Sequence, residues 1–351
     1  MIKSIQKFAR NHASLAAGAA IALLTTPAAA TSACDRDCLQ SFVAHYVGAM
    51  VRHDPSKLPV APGVVATQNG QPFMLGQGIW QSVTGVLSQP QFVSDVAAGQ
   101  VGYLGVLNDA GQPALFGLRL KIAGGKITEI ESLLTHDGEG GPAFEPQGFI
   151  YREAPYIRDV PLAARSSPAD LLRIANQYWD IATSTHNGGA VPYSADCWHF
   201  ENGMNTDWER AFMPNELSKL NQPAYQPQAD GRIWTCAREV YLTTASYTVA
   251  RDRHFLIDPD RGLVMAIVTV DVKGRGNVTI PAAGSGTAAP KPPPTPAIDG
   301  PGLRPLGMSD AGMRNAMGKT YTAYHFEVMR IVGGKITREQ DFMHQLPAGA
   351  K

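Results

Sequence analysis

The chain has 351 residues, 44% of them hydrophobic and 17% charged, with a formal net charge of zero. Such a chain can bury real cores, and its length suits two ordinary domains. The balanced charge and a pI near 7.1 leave no basic patch of the kind nucleic acid requires, so no nucleic-acid partner is expected.

Lys3, Lys7 and Arg10 precede an apolar run from Leu15 to Leu24, and Ala28, Ala29 and Ala30 offer small residues for cleavage. Residues 1–30 therefore read as a secretory signal peptide; the apolar run is too short to span a bilayer. A secreted or periplasmic protein without stable membrane insertion is predicted. Four cysteines remain. Pairing within local segments predicts the bridges Cys34–Cys38 and Cys197–Cys236, and an oxidising compartment favours both over free thiols.

A helix follows: Leu39, Phe42, Val43, Tyr46, Val47 and Met50 lie on one apolar face, with Asp35 or Asp37 as the cap. A short strand then leads to an Asn69-Gly70 turn, a hairpin signal. After a further helix, strands are predicted over 101–107, 115–122 and 126–134, the last two joined at Gly124-Gly125. Residues 151–166 are polar and turn-rich and read as a linker.

The plan then starts again. Ser167-Pro168 opens a helix whose apolar face carries Leu171, Ile174, Ala175, Tyr178 and Ile181. A strand and an Asn202-Gly203 turn follow, then strands over 238–252, 262–272, 321–331 and 335–343. The cluster Arg251, Asp252, Arg253 and His254 reads as a solvated turn with ion pairs. Residues 282–305 form a Gly/Ala/Pro-rich insertion that cannot join a central sheet.

The two halves share landmarks. LPVAPGVVATQNG (58–70) aligns without a gap with VPYSADCWHFENG (191–203) at an offset of 133 (191 − 58). KIAGGKIT (121–128) aligns with RIVGGKIT (330–337) at an offset of 209 (330 − 121). Two landmarks in the same order predict two copies of one module: 34–150 and 167–351.

A helix with a mid-helix tyrosine, a short strand ending near an acidic or amide residue, a hairpin, and long strands ending in GGKIxxIE resemble the nuclear transport factor 2-like, or SnoaL-like, superfamily. More narrowly, CDRDCLQSFVAHYVGAMVRHDPSKLP, DCWHFENG and RDRHFLIDPDRGLVMAIVTVD resemble a secreted two-copy family of unknown function. The resemblance implies an α+β fold of two cystatin-like cones, each a curved antiparallel sheet packed with helices. It further implies an apolar pocket, and a homodimer or an internal pseudo-dimer. It does not imply one reaction.

Members that resemble ketosteroid isomerase place a phenol on the first helix and a carboxylate base on the first strand. Here that pattern falls on Tyr178 and Glu201; in the first half the matching residues are Tyr46 and Gln68. An amide cannot take a proton at neutral pH, so the second half is expected to hold the site. Desolvation raises a buried carboxylate toward a useful base, and a buried phenol can donate to a developing oxyanion. Strand alternation puts His199 on the face of Glu201. Catalytic candidates are therefore Glu201, Tyr178 and His199; a purely polar structural role is the alternative for Glu201. Ligand-binding candidates are Asn202, Trp198, Trp234, Tyr241, His325, Tyr46 and Gln68. His325 and Glu327 share one face of a late strand.

The nine histidines have no tight ligand spacing and no CxxC occurs, so no metal is expected. There is no P-loop, dinucleotide fingerprint or GxSxG elbow, and no cofactor is expected. The expected partner is a small apolar or aromatic molecule. The alternatives are a lyase, isomerase or hydrolase using acid/base chemistry, a non-catalytic carrier, and a structural or interaction module.

Overall fold

The computed structural model describes residues 34–141, 144–149, 154–186, 190–205, 236–237, 244–274 and 319–350. Residues 1–30, expected as a signal peptide, Trp234, Tyr241 and the insertion 282–305 lie outside them. Helix α1 (Arg36–Val51) starts where the Asp35 side chain accepts from the Cys38 amide. The Cys34–Cys38 bridge closes over that cap.

Strands β1 (Val60–Gln68), β2 (Gln71–Pro72), β3 (Val83–Val86), β4 (Gln91–Asp95), β5 (Gln100–Asp109), β6 (Gln112–Ala123) and β7 (Lys126–Thr135) form a seven-stranded sheet. Its order is β2-β1-β7-β6-β5-β3, with β4 also on β5. A short helix α2 (Ala154–Ile157) precedes α3 (Pro168–Thr183), whose cap Ser167 accepts from the Asp170 amide. Strands β8 (Tyr193–Glu201), β9 (Met204–Asn205), β10 (Tyr247–Asp258), β11 (Leu263–Val272), β12 (Tyr321–Val332) and β13 (Lys335–Leu346) form the second sheet, ordered β10-β11-β12-β13-β8-β9. Read from the other edge, this is the order of the first sheet.

Both sheets are mixed. β1 runs parallel to β7, and β8 parallel to β13; the other pairs are antiparallel. The expectation of a purely antiparallel sheet is corrected here. Each first strand follows a helix and returns beside the last strand of its own sheet, which sets the two in the same direction. A 3-10 turn (Gly78–Gln81) stands where a further helix was predicted in the first half.

Asn69 and Asn202 hold φ of 50° and 47° ahead of Gly70 and Gly203 at 71° and 81°. Successive left-handed residues are what a tight hairpin needs. Each asparagine also clips its strand to the sheet. Asn69 Nδ2 donates to the Leu134 carbonyl and its Oδ1 accepts from the Leu134 amide. Asn202 Nδ2 donates to the Gly140 carbonyl and its Oδ1 accepts from the Met343 amide.

Three apolar clusters hold the chain together. α1 packs on one face of the first sheet, with Tyr46 edge-on to Trp80 at 5.2 Å. α3 packs on one face of the second sheet. The third cluster lies where the opposite faces of the sheets meet, through Leu104, Leu115 and Leu133 against Met265, Phe326 and Phe342. Close approach depends on Gly117, where a Cβ would lie 2.8 Å from the Phe326 ring. A polar seam flanks this core. Arg36 forms a two-pronged ion pair with buried Asp258, and Tyr324 Oη donates to Glu131 at 2.6 Å.

Two more expectations change. Arg251 to His254 is not a turn but part of β10, bulged where Asp252 takes φ 52°. Its charges are satisfied laterally, Arg251 on Asp271 and Arg253 on Asp180. The stretch expected as a plain linker is anchored: Tyr156 and Val160 are buried, and the Val160 amide donates to the Asp260 carbonyl.

Candidate functional site

The site is built by strand register. In the first sheet Leu118, Ser132 and Gln68 form one row across β6, β7 and β1. In the second, Glu327, Asp341 and Glu201 form the corresponding row across β12, β13 and β8. Two residues along, on the same face, Ile130 lies beside Ala66, whereas Glu339 lies beside His199. Phe116 opposes Leu134; His325 opposes Met343. These matches reproduce the offsets of 209 and 133 between the two halves. Phe116, Leu118 and Ile130 belong to the apolar core under α1. Their counterparts under α3 are ionisable and equally buried.

His325 is the centre of the arrangement. Its Nδ1 lies 2.8 Å from Asp341 Oδ2, and its Nε2 lies 3.5 Å from Tyr247 Oη. A carboxylate only accepts, so in the neutral imidazole the proton sits on Nδ1 and the Nε2 lone pair faces the phenol. Trp179 of α3 packs edge-on to the imidazole at 5.3 Å, and Tyr178 packs edge-on to Trp179 at 5.1 Å. Burial, then the charges of Glu327 and Glu339, push the Tyr178 phenol well above its ordinary pKa. Burial acts likewise on Tyr247, reinforced by Tyr321, Glu201 and Asp341. Both phenols therefore remain neutral O–H donors.

His199, Glu327 and Glu339 converge: one ligand atom from each lies within 4.8 Å of the other two. Tyr193 Oη donates to the Glu339 carboxylate at 3.1 Å. Cys197, Cys236 and Glu339 also meet, but the two sulfurs are bonded to each other. That bridge ties β8 to the segment at Cys236 beneath the site.

The structure brings together Tyr178, His199, Glu201 and His325 of the predicted residues. Trp198 is on the other face of β8, 47% exposed. Asn202 is 0% exposed, with its amide spent on backbone partners. Tyr46 and Gln68 lie in the first half, Tyr46 in its apolar core. Glu339, Asp341, Tyr193 and Trp179 escaped the sequence reading. Carrying the GGKIT alignment ten residues in each direction sets the ionisable residues against Phe116, Leu118, Ile130 and Ser132, and that contrast is the signal that finds Glu339 and Asp341.

Residues 164–343, the half that holds this site, match the family model described as a domain of unknown function, DUF8021. The chain belongs to that family. No curated protein matches it. Among solved structures, it is similar to AclR, a candidate hydroxylase from Streptomyces galilaeus, at 11% identity and a TM-score of 0.28, over 52% of this chain and 83% of that one. A candidate isomerase from Bacillus subtilis shares 7% identity at a TM-score of 0.27, over 50% of this chain and 87% of that one. Neither likeness assigns an activity to the DUF8021 member described here. Among the described residues, no helix is long and apolar enough to cross a membrane.

Proposed function

We propose that the chain is two copies of a nuclear transport factor 2-like module packed back to back, and that the second is an acid/base site for a small apolar or aromatic molecule. The observation that carries this reading is the exchange of Phe116, Leu118, Ile130 and Ser132 for His325, Glu327, Glu339 and Asp341 at matching positions. A core has no need of such groups; burying them costs stability that pairing only partly offsets, so their presence calls for a functional explanation. In the proposed reaction His325 Nε2 takes a proton from the substrate while Asp341 holds the ring and stabilises the imidazolium. Tyr247 and Tyr178 donate to the oxygen that gains charge. Glu201, partly exposed at the end of β8, is the second proton acceptor. Isomerisation, elimination and hydrolysis all fit this set. Two disulfides support an oxidising, extracytoplasmic setting.

The test is turnover of a panel of small ketones, enones, epoxides and lactones by the oxidised full chain, followed by chromatography and mass spectrometry. One class is expected to react, with His325→Gln lowering kcat by about 100-fold or more. Compounds that bind and leave unchanged would sink the enzyme and establish a carrier, which the aromatic cluster of Tyr178, Trp179 and Tyr247 could equally serve.

A further inference from the structure

We propose that His199, Glu327 and Glu339 form a binding site for one divalent transition-metal ion, with Asp341 at its edge. The site stands independently of the acid/base reading. Its residues come from three adjacent strands, β8, β12 and β13, so the sheet itself sets their spacing. Glu339 lies directly beside His199, and Glu327 is on the diagonal. All three are buried, and their ligand atoms lie within 4.8 Å of one another. Two donors each about 2.1 Å from a common ion are at most ~4.2 Å apart, so a small carboxylate rotation closes the set.

A second observation points the same way. Asp341 is only 6% exposed, and its Oδ1 has no hydrogen-bond partner, although its Oδ2 is held by His325. It sits between Glu327 and Glu201 in one row, on the face that carries Glu339. Like charges directly opposite one another on neighbouring strands repel. A divalent ion bound beside this row would offset that repulsion. Tyr193, donating to Glu339 at 3.1 Å, would orient the ligating carboxylate.

The donor set selects the ion. An imidazole with two carboxylates suits zinc or manganese, whereas magnesium and calcium prefer oxygen alone. Thiolate-seeking ions are excluded from the neighbouring sulfurs by the Cys197–Cys236 bridge. Zinc should bind more tightly than manganese by the usual order of divalent affinities. Three protein ligands leave a coordination position for water or substrate, the pattern of a reactive rather than a structural site.

The experiment uses the oxidised full chain, stripped with chelator and dialysed against zinc, manganese or magnesium. Metal content is measured by plasma emission, affinity by calorimetry, and the donors by X-ray absorption at the zinc edge. One equivalent of zinc, a first shell of one imidazole with oxygen donors, and no retained magnesium are expected. Glu327→Gln and Glu339→Gln keep side-chain shape and should weaken zinc at least ~100-fold, beyond the ~10-fold expected for Tyr193→Phe. Absorption on the wild type reads the site even if a variant misfolds. Two results overturn the proposal: wild-type protein that retains no zinc, or zinc that survives Glu327→Gln but is lost in His136→Ala. The latter would place the ion on the exposed His136–Glu139 pair.

Discussion

The Nδ1 atom of His325 lies 2.8 Å from Asp341 Oδ2, both side chains buried beneath α3. In the first sheet the same two positions hold Phe116 and Ser132. If the ionisable set serves function, restoring the apolar one should stabilise the fold. The quadruple variant His325→Phe, Glu327→Leu, Glu339→Ile, Asp341→Ser, which installs the first-sheet residues at all four positions, is expected to raise stability in urea unfolding by about 1 kcal/mol or more, because replacing a whole set of buried ionic groups with packed apolar ones is often favourable. It should also lose ligand and metal binding. A clear drop in the midpoint would make these residues architectural.

Gly117 and Gly102 both face the second sheet, but they differ in what they meet. A Cβ at Gly117 would lie 2.8 Å from a ring carbon of Phe326, and one at Gly102 2.4 Å from the flexible end of Met265. Gly117→Val should therefore destabilise by about 1–3 kcal/mol through overpacking. Gly102→Ala should have the smaller effect, since Met265 can turn away. Equal urea midpoints for the two variants would contradict this account of the inter-sheet contact.

Asn202 combines a left-handed backbone with two side-chain bonds to buried backbone groups. Asn202→Ala should lower stability by about 2–3 kcal/mol, the sum of a lost clip and an unfavourable φ. Asn69→Ala should behave alike, as both of its bonds are to Leu134. Denaturant unfolding of both variants decides the point.

The two disulfides close loops of very different length. The sequence separation is 39 residues for Cys197–Cys236 and 4 for Cys34–Cys38. On the chain-entropy model they contribute about 4 and about 2 kcal/mol respectively. Paired Cys→Ser variants, unfolded in urea, should reproduce that order. A larger loss from the short bridge would show that it acts on the α1 cap instead.

His136 supplies a pH test outside the site. Burial lowers its pKa, but hydrogen bonds to Asp109 and Glu139 outweigh it, and the net shift is upward. The folded chain thus holds this proton more firmly than the unfolded chain. The stabilisation is full below the unfolded pKa, near 6.5, and is lost as pH rises through the folded value. The difference in urea midpoint between wild type and His136→Gln should shrink from pH 6 toward pH 8. A difference that grows over that range would reverse the sign.

The sequence by itself determined much of this protein. Apolar spacing marked α1 and α3, and the Asn-Gly pairs marked both hairpins; the repeated landmarks are what the two-copy proposal rests on. These signals are local, carried by neighbours within a turn or a strand. Glu201, His199, Tyr178 and His325 were visible as chemistry-bearing residues for the same reason. What only the tertiary structure decided was their company. His199 and Glu339 are 140 positions apart (339 − 199) and touch because β8 runs parallel to β13, a pairing that no local spacing encodes. Asn202 reads as a site residue until its amide is found on Gly140 and Met343. Trp198 reads as a pocket aromatic until the sheet turns it outward. Periodicity tells which residues share a face; only the closed sheet, with a helix laid across it, tells which face is buried and what meets there.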